Sequence, residues 1–140
     1  MRTLMMAVLA LGAAPTTNAA FYDMFECEVK QVSRVNETGT QQTAKDHYAK
    51  SYLLGARFFV NRTTGVITGK DISNDEYKNQ VLADGRTLQN PLTIISSYVL
   101  NREDGANATY FLVVNTHVAG RRKTFFMKGM NGALMSGICV

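Results

Sequence analysis

The sequence predicts a mainly β domain with one short helix. The expected form is a small antiparallel meander, barrel-like or strongly curved, with its N- and C-terminal strands joined by a disulfide. Three observations predict it. Short runs alternate apolar and polar residues with period two, and turn residues separate them. A single stretch shows helical periodicity. The chain holds only two cysteines, one near each end of the segment that would fold. A length of 140 residues, 46% of them hydrophobic and 19% charged, suits one globular domain rather than a disordered tail.

The first twenty residues read as an export signal. Arg2 supplies a positive start. Leu4 to Ala14 form an apolar stretch too short to cross a bilayer, and Pro15 breaks it. Small residues then lead to Ala19-Ala20, the order of parts in a secretory signal peptide. Residues 1–20 are therefore expected to be a signal peptide, and 21–140 a single β-rich domain in the periplasm or outside the cell. The first cysteine, Cys27, follows Glu26 rather than an apolar stretch, which argues against a lipid anchor. The leader takes with it one cation, Arg2, and no acid, so the +4 chain becomes a +3 domain. That excess suits solubility and weak steering, not a nucleic-acid binder.

Export would place Cys27 and Cys139 in an oxidising compartment, where an even cysteine count favours pairing. Neither cysteine has Cys-x-x-Cys spacing or a basic neighbour to activate it. A structural disulfide, closing a loop across nearly the whole mature domain, is the expected role.

Phe25 to Lys30 alternate strictly, so Phe25, Cys27 and Val29 should point inward. Asn36 to Gly39 read as a turn. Between Thr43 and Leu54 the period changes: Ala44, Tyr48, Ala49, Tyr52 and Leu53 share a helical stripe. Thr43 with Asp46 resembles a capping box, Asp46 and Lys50 form a favourable pair, and Gly55 is a fair stop. The competing assignment gives Ser51 to Leu54 to the next strand. Arg57–Val60 and Val66–Thr68 flank a Gly-ended loop as a hairpin. A polar loop covers 70–76, a weak strand Tyr77 to Ala83, and Asp84-Gly85 a turn. Pro91 opens a strand from Leu92 to Leu100, where its missing N–H does least harm. Asn101 to Asn107 should turn. Ala108 to Val118 is the strongest predicted strand, followed by a turn at 119–122, a strand from Thr124 to Lys128 and a last strand from Ala133 to Val140.

No catalytic constellation stands out, so the chain is expected not to be an enzyme. Gly-x-Ser-x-Gly and Ser-x-x-Lys are both absent. His47 falls on the polar side of the predicted helix and His117 near a strand end beside Asn115, neither with a partner indicated by spacing. Asp71, Ser73 and Asp75 imitate the start of a calcium loop, but Glu76 and Leu82 occupy its glycine and glutamate positions. No metal, cofactor, nucleic acid or membrane span is expected. Gly129 to Gly132 match a Gly-x-x-Gly loop only in form.

Two surface features remain. Arg121-Arg122-Lys123 forms a basic hairpin tip followed by Phe125-Phe126, a candidate contact surface for an acidic partner. Asn-x-Thr triplets begin at Asn36, Asn61 and Asn107, all in predicted turns. With a leader of bacterial type they carry no functional reading. The plan of leader, early cysteine, all-β middle and penultimate cysteine looks broadly like that of small periplasmic inhibitors of lysozyme. The resemblance is architectural, and no inhibitory motif after Tyr77 matches residue by residue, so no site is transferred. The expected function is that of an exported binding protein, an inhibitor or a toxin-neutralising immunity factor acting through protein contact. A lipocalin-like barrel holding a small apolar ligand is the alternative, and a hydrolase with an unrecognised site is the third.

Overall fold

A computed structural model of the chain describes residues 23–36, 38–43, 48–87, 89–99, 107–129 and 132–140. The leader, residues 1–20, lies outside them. Among the described residues nine strands and one helix follow in order: β1 (Met24–Val35), β2 (Gln41–Thr43), α1 (Tyr48–Leu53), β3 (Arg57–Asn61), β4 (Ile67–Gly69), β5 (Lys78–Asp84), β6 (Leu92–Val99), β7 (Asn107–Val114), β8 (Lys123–Lys128) and β9 (Leu134–Cys139). All pairings are antiparallel, and the sheet runs β4-β3-β1-β9-β8-β7-β6-β5, with β2 added to β1. It curls into a half-barrel.

β1 is twelve residues long and organises the sheet. One of its edges pairs with β9 along most of its length. The other edge is shared, with β3 on Met24–Glu28 and β2 on Ser33–Val35. Gly55 and Ala56, which follow α1, lie against β1 in the gap between β2 and β3. The Val29 N–H donates to the Ala56 carbonyl at 3.0 Å, and the Gly55 N–H to the Val29 carbonyl at 2.9 Å. Gly55 ends the helix with φ of +80°, the left-handed conformation that glycine adopts most easily. A bulge between Val29 and Gln31 lets both Val29 and Val32 face inward.

Period two then explains the interior. Phe25, Cys27, Phe58, Val60, Ile67, Leu92, Ile94, Leu112, Val114, Phe125, Met127, Met135 and Cys139 are buried and form one core. Phe58 and Phe125 meet edge to face at 5.3 Å between ring centres. Side chains fill the inside of the curl, each contributing about 1.5–3 kcal/mol by leaving water.

Cys27 and Cys139 are directly opposed in the β1–β9 ladder and bonded to each other, with a sequence separation of 112. At the same seam Gly137 lies against β1. A Cβ there would come within 2.0 Å of the Glu28 carbonyl oxygen, so only glycine fits.

The far ends of the sheet are joined differently. β4 and β5 end the strand order. Between them Asn74, wholly buried, reaches three segments with its side chain. Its Oδ1 accepts from the Ile67 N–H at 2.6 Å, and its Nδ2 donates to the Gly65 carbonyl at 2.9 Å and to Ser96 Oγ at 2.7 Å. The amide thus ties the β3–β4 turn and β4 to β6.

Several boundaries differ from the sequence reading. β2 is an added strand of three exposed polar residues, and it includes Thr43, the residue expected to cap the helix. The rest of that capping box and His47 lie outside the described residues, as does the predicted turn over 101–107 except for Asn107, which is not in a turn but opens β7 opposite Val99. α1 covers Ser51 to Leu53, which rules out the strand assignment there. β7 stops at Val114 rather than running to Val118. The Thr116 N–H folds back onto the Val114 carbonyl at 2.8 Å and Thr116 Oγ1 donates to the Asn90 carbonyl at 3.3 Å, which turns the chain out of the sheet.

Candidate functional site

Strand register brings one set of loops together at one end of the half-barrel. Val60 opposes Phe25, Cys27 opposes Cys139, Cys139 opposes Lys123, and Val114 opposes both Phe125 and Leu92. This end therefore carries the Arg62–Gly65 turn, the loop after Asp84 and the 115–122 loop.

Its charges are unevenly engaged. Arg86 Nη2 lies 2.7 Å from Asp23 Oδ1, and Arg86 Nη1 lies 3.5 Å from Asp84 Oδ2. The Arg86 N–H also donates to Asp84 Oδ1 at 3.0 Å, so one arginine engages both carboxylates. Arg62 is buried, its guanidinium 4.9 Å from the centre of the Phe25 ring. Burial, and then the charge of Arg86, hold its pKa below the ordinary arginine value.

Arg121 and Arg122 are exposed on the loop, as predicted for a tip. Lys123 is half-buried at the start of β8, and its ammonium donates to the Val118 carbonyl. It closes the loop as well as adding charge. The aromatic pair divides. Phe125 is buried against Phe58 and belongs to the core, which removes it from any contact surface. Phe126 is 41% exposed on the outer face of the sheet, opposite Val113 of β7 and Ser136 of β9. Alternation along one strand separates the two rings. His117 is exposed in the same loop, not on a strand.

The opposite end holds α1, the loop from Lys70 to Tyr77 and a group of tyrosines. Tyr77 meets Tyr110 at 5.1 Å and Tyr98 at 5.5 Å between ring centres. Burial raises the pKa of both Tyr77 and Tyr110, the latter to about 12. A cavity of about 210 Å³ opens beside them, lined by Tyr52, Leu53, Asp71, Ile72, Tyr110 and Met135 among others. Sequence reasoning did not find it, because its walls come from α1, β7, β9 and the 70–77 loop.

The acidic loop does not form a cation cradle. Ser73 Oγ donates to Asp75, which holds that carboxyl below the usual range, while Asp71 lines the cavity. No group of three or more metal-ligating side chains occurs among the described residues. Two of the Asn-x-Thr asparagines build turns. Asn61 Oδ1 accepts from the N–H groups of Thr63 and Thr64, both at 2.9 Å, and Asn36 Oδ1 from those of Thr38 and Thr40 at 3.1 and 2.8 Å. The side chain of Asn107 lies outside the described residues.

Comparison with protein-family models, curated proteins and solved structures finds no match for this chain.

Proposed function

We propose that the chain is an exported, non-enzymatic binding protein that acts through protein contact at the end carrying Arg121 and Arg122. The disulfide suits an oxidising compartment, in line with the predicted leader. One observation carries the choice of surface. Arg86 engages both Asp23 and Asp84, while Arg121 and Arg122 stand exposed on a loop. Two adjacent solvated cations add little to folding but speed encounter with an acidic partner. Loops on a stapled β scaffold are a common place for recognition. Filling of the half-barrel by Phe58, Ile94, Leu112, Phe125 and Met127 weighs against a lipocalin-like ligand inside it.

The test compares immobilised wild-type protein with Arg121→Glu/Arg122→Glu in periplasmic extract. Lys123 is left intact because it closes the loop. The expected result is a protein retained by the wild type and lost from the variant, whose association rate with purified wild type falls as salt rises. Equal retention by both, with salt-independent association, overturns the assignment.

A further inference from the structure

The cavity at the opposite end is a site of different chemistry. We propose that it binds a small free amine, with the ammonium group at Asp71 and the carbon chain against Leu53, Ile72 and Met135.

Polar groups of the lining decide the sign of the ligand. Asp71 supplies a carboxylate, which accepts hydrogen bonds and donates none. No lysine, arginine or histidine lines the cavity among the described residues. Tyr52 and Tyr110 bring phenol rings, whose faces and oxygens both favour a cation. Burial keeps the Tyr110 phenol protonated far above neutral pH, so Asp71 supplies the negative charge. An anionic ligand would meet that charge without a compensating cation. A neutral ligand would draw no charge–charge attraction from it.

The size of the ligand follows from the volume. About 210 Å³ falls below the ~300–1,000 Å³ of pockets for drug-sized molecules, so the occupant is a short amine. Two of the walls come from strands: Tyr110 lies in β7 and contacts Tyr77, while Met135 lies buried in β9. This site is independent of the loop at the other end, and either assignment can fail alone.

Tyr52, Tyr77, Tyr98 and Tyr110 lie at this end and the chain has no tryptophan, so a change in tyrosine fluorescence on titration reads binding here. The full mature protein is titrated with n-butylammonium, n-butanol and n-butyrate, which share a carbon chain and differ in charge. The expected order of affinity is amine, alcohol, carboxylate. Asp71→Asn, a nearly isosteric change at an exposed position, should weaken the amine about tenfold and leave the alcohol unchanged, as loss of one charge-assisted hydrogen bond predicts. Alcohol binding as tight as amine binding in the wild type overturns the proposal. So does absence of saturable amine binding, or an unchanged amine affinity in a folded Asp71→Asn protein.

Discussion

The curled sheet joins distant parts of the chain in two places, and different forces hold them. At the β1–β9 seam the ladder runs from Cys27–Cys139 to Ser33–Leu134, and a covalent bond closes it. At the other side, β4 and β5 terminate the strand order, and the Asn74 amide reaches from the loop between them to Gly65, Ile67 and Ser96. The first seam restricts the unfolded chain as well as the folded one. The second exists only in the folded state, and its strength is that of buried hydrogen bonds without a ladder. The difference explains a half-barrel. A ladder propagates strand by strand, whereas a side-chain amide fixes one point of approach.

Removing the covalent bond should give the largest effect. Cys27→Ser with Cys139→Ser is expected to lower unfolding free energy by about 4–5 kcal/mol, the chain-entropy value for a loop of this size. Denaturant titration reads it as a lower midpoint, and an unchanged midpoint would place the strength of that seam in the ladder alone.

Asn74→Ala should cost about 2–4 kcal/mol, because the Ile67 N–H and the Gly65 carbonyl lose their buried partner. Hydrogen exchange distinguishes the seams. Amides of β4 should exchange faster in this variant while those of β1 and β9 keep their protection relative to global unfolding. Uniform acceleration would mean that the two seams open as one unit. Ser96→Ala removes one contact of the same amide and should cost about 1 kcal/mol. A loss as large as that of Asn74→Ala would shift the latch from the amide to the hydroxyl.

The effect that is smallest at neutral pH grows only in alkaline solution. Tyr77 packs on Tyr110, and its N–H donates to the Asn74 carbonyl at 3.0 Å, so the tyrosines brace the loop that carries the latch. Burial raises the folded-state pKa of Tyr110 to about 12, above the unfolded value of about 10. A raised pKa stabilises the fold below the unfolded value, and that stability is lost as pH climbs toward the folded value. Unfolding free energy should therefore fall from about pH 10 upward, and Tyr110→Phe should flatten the slope. An unaltered slope would exclude Tyr110 as its source.

Most strands were legible because burial of one face imposes period two on local sequence. Phe25, Cys27 and Val29 predict their own orientation, and so do the hairpin residues Phe58, Val60 and Ile67. β2 escaped because Gln41, Gln42 and Thr43 are exposed and carry no apolar signal. β7 was extended too far because Thr116 and Val118 continue its alternation. The chain leaves the sheet where Thr116 bonds back to the Val114 carbonyl and across to that of Asn90, the latter distant in sequence. At the basic tip, the exposure of Arg121 and Arg122 was readable, yet the pairing of Arg86 with Asp23 and the burial of Phe125 were not.

The sequence by itself determined the class of the fold, the inward faces of its main strands and the identity of the stapled residues. These depend on local alternation and on the presence of only two thiols. Tertiary structure decided which strands neighbour β1, that Asn74 rather than a ladder joins the far side, and that Tyr52, Asp71 and Tyr110 border one cavity. Each of those facts rests on contacts between residues far apart in the chain. Hydrophobic periodicity states which face of a strand turns inward, but not which strand lies beside it or how far the sheet curls before its edges meet.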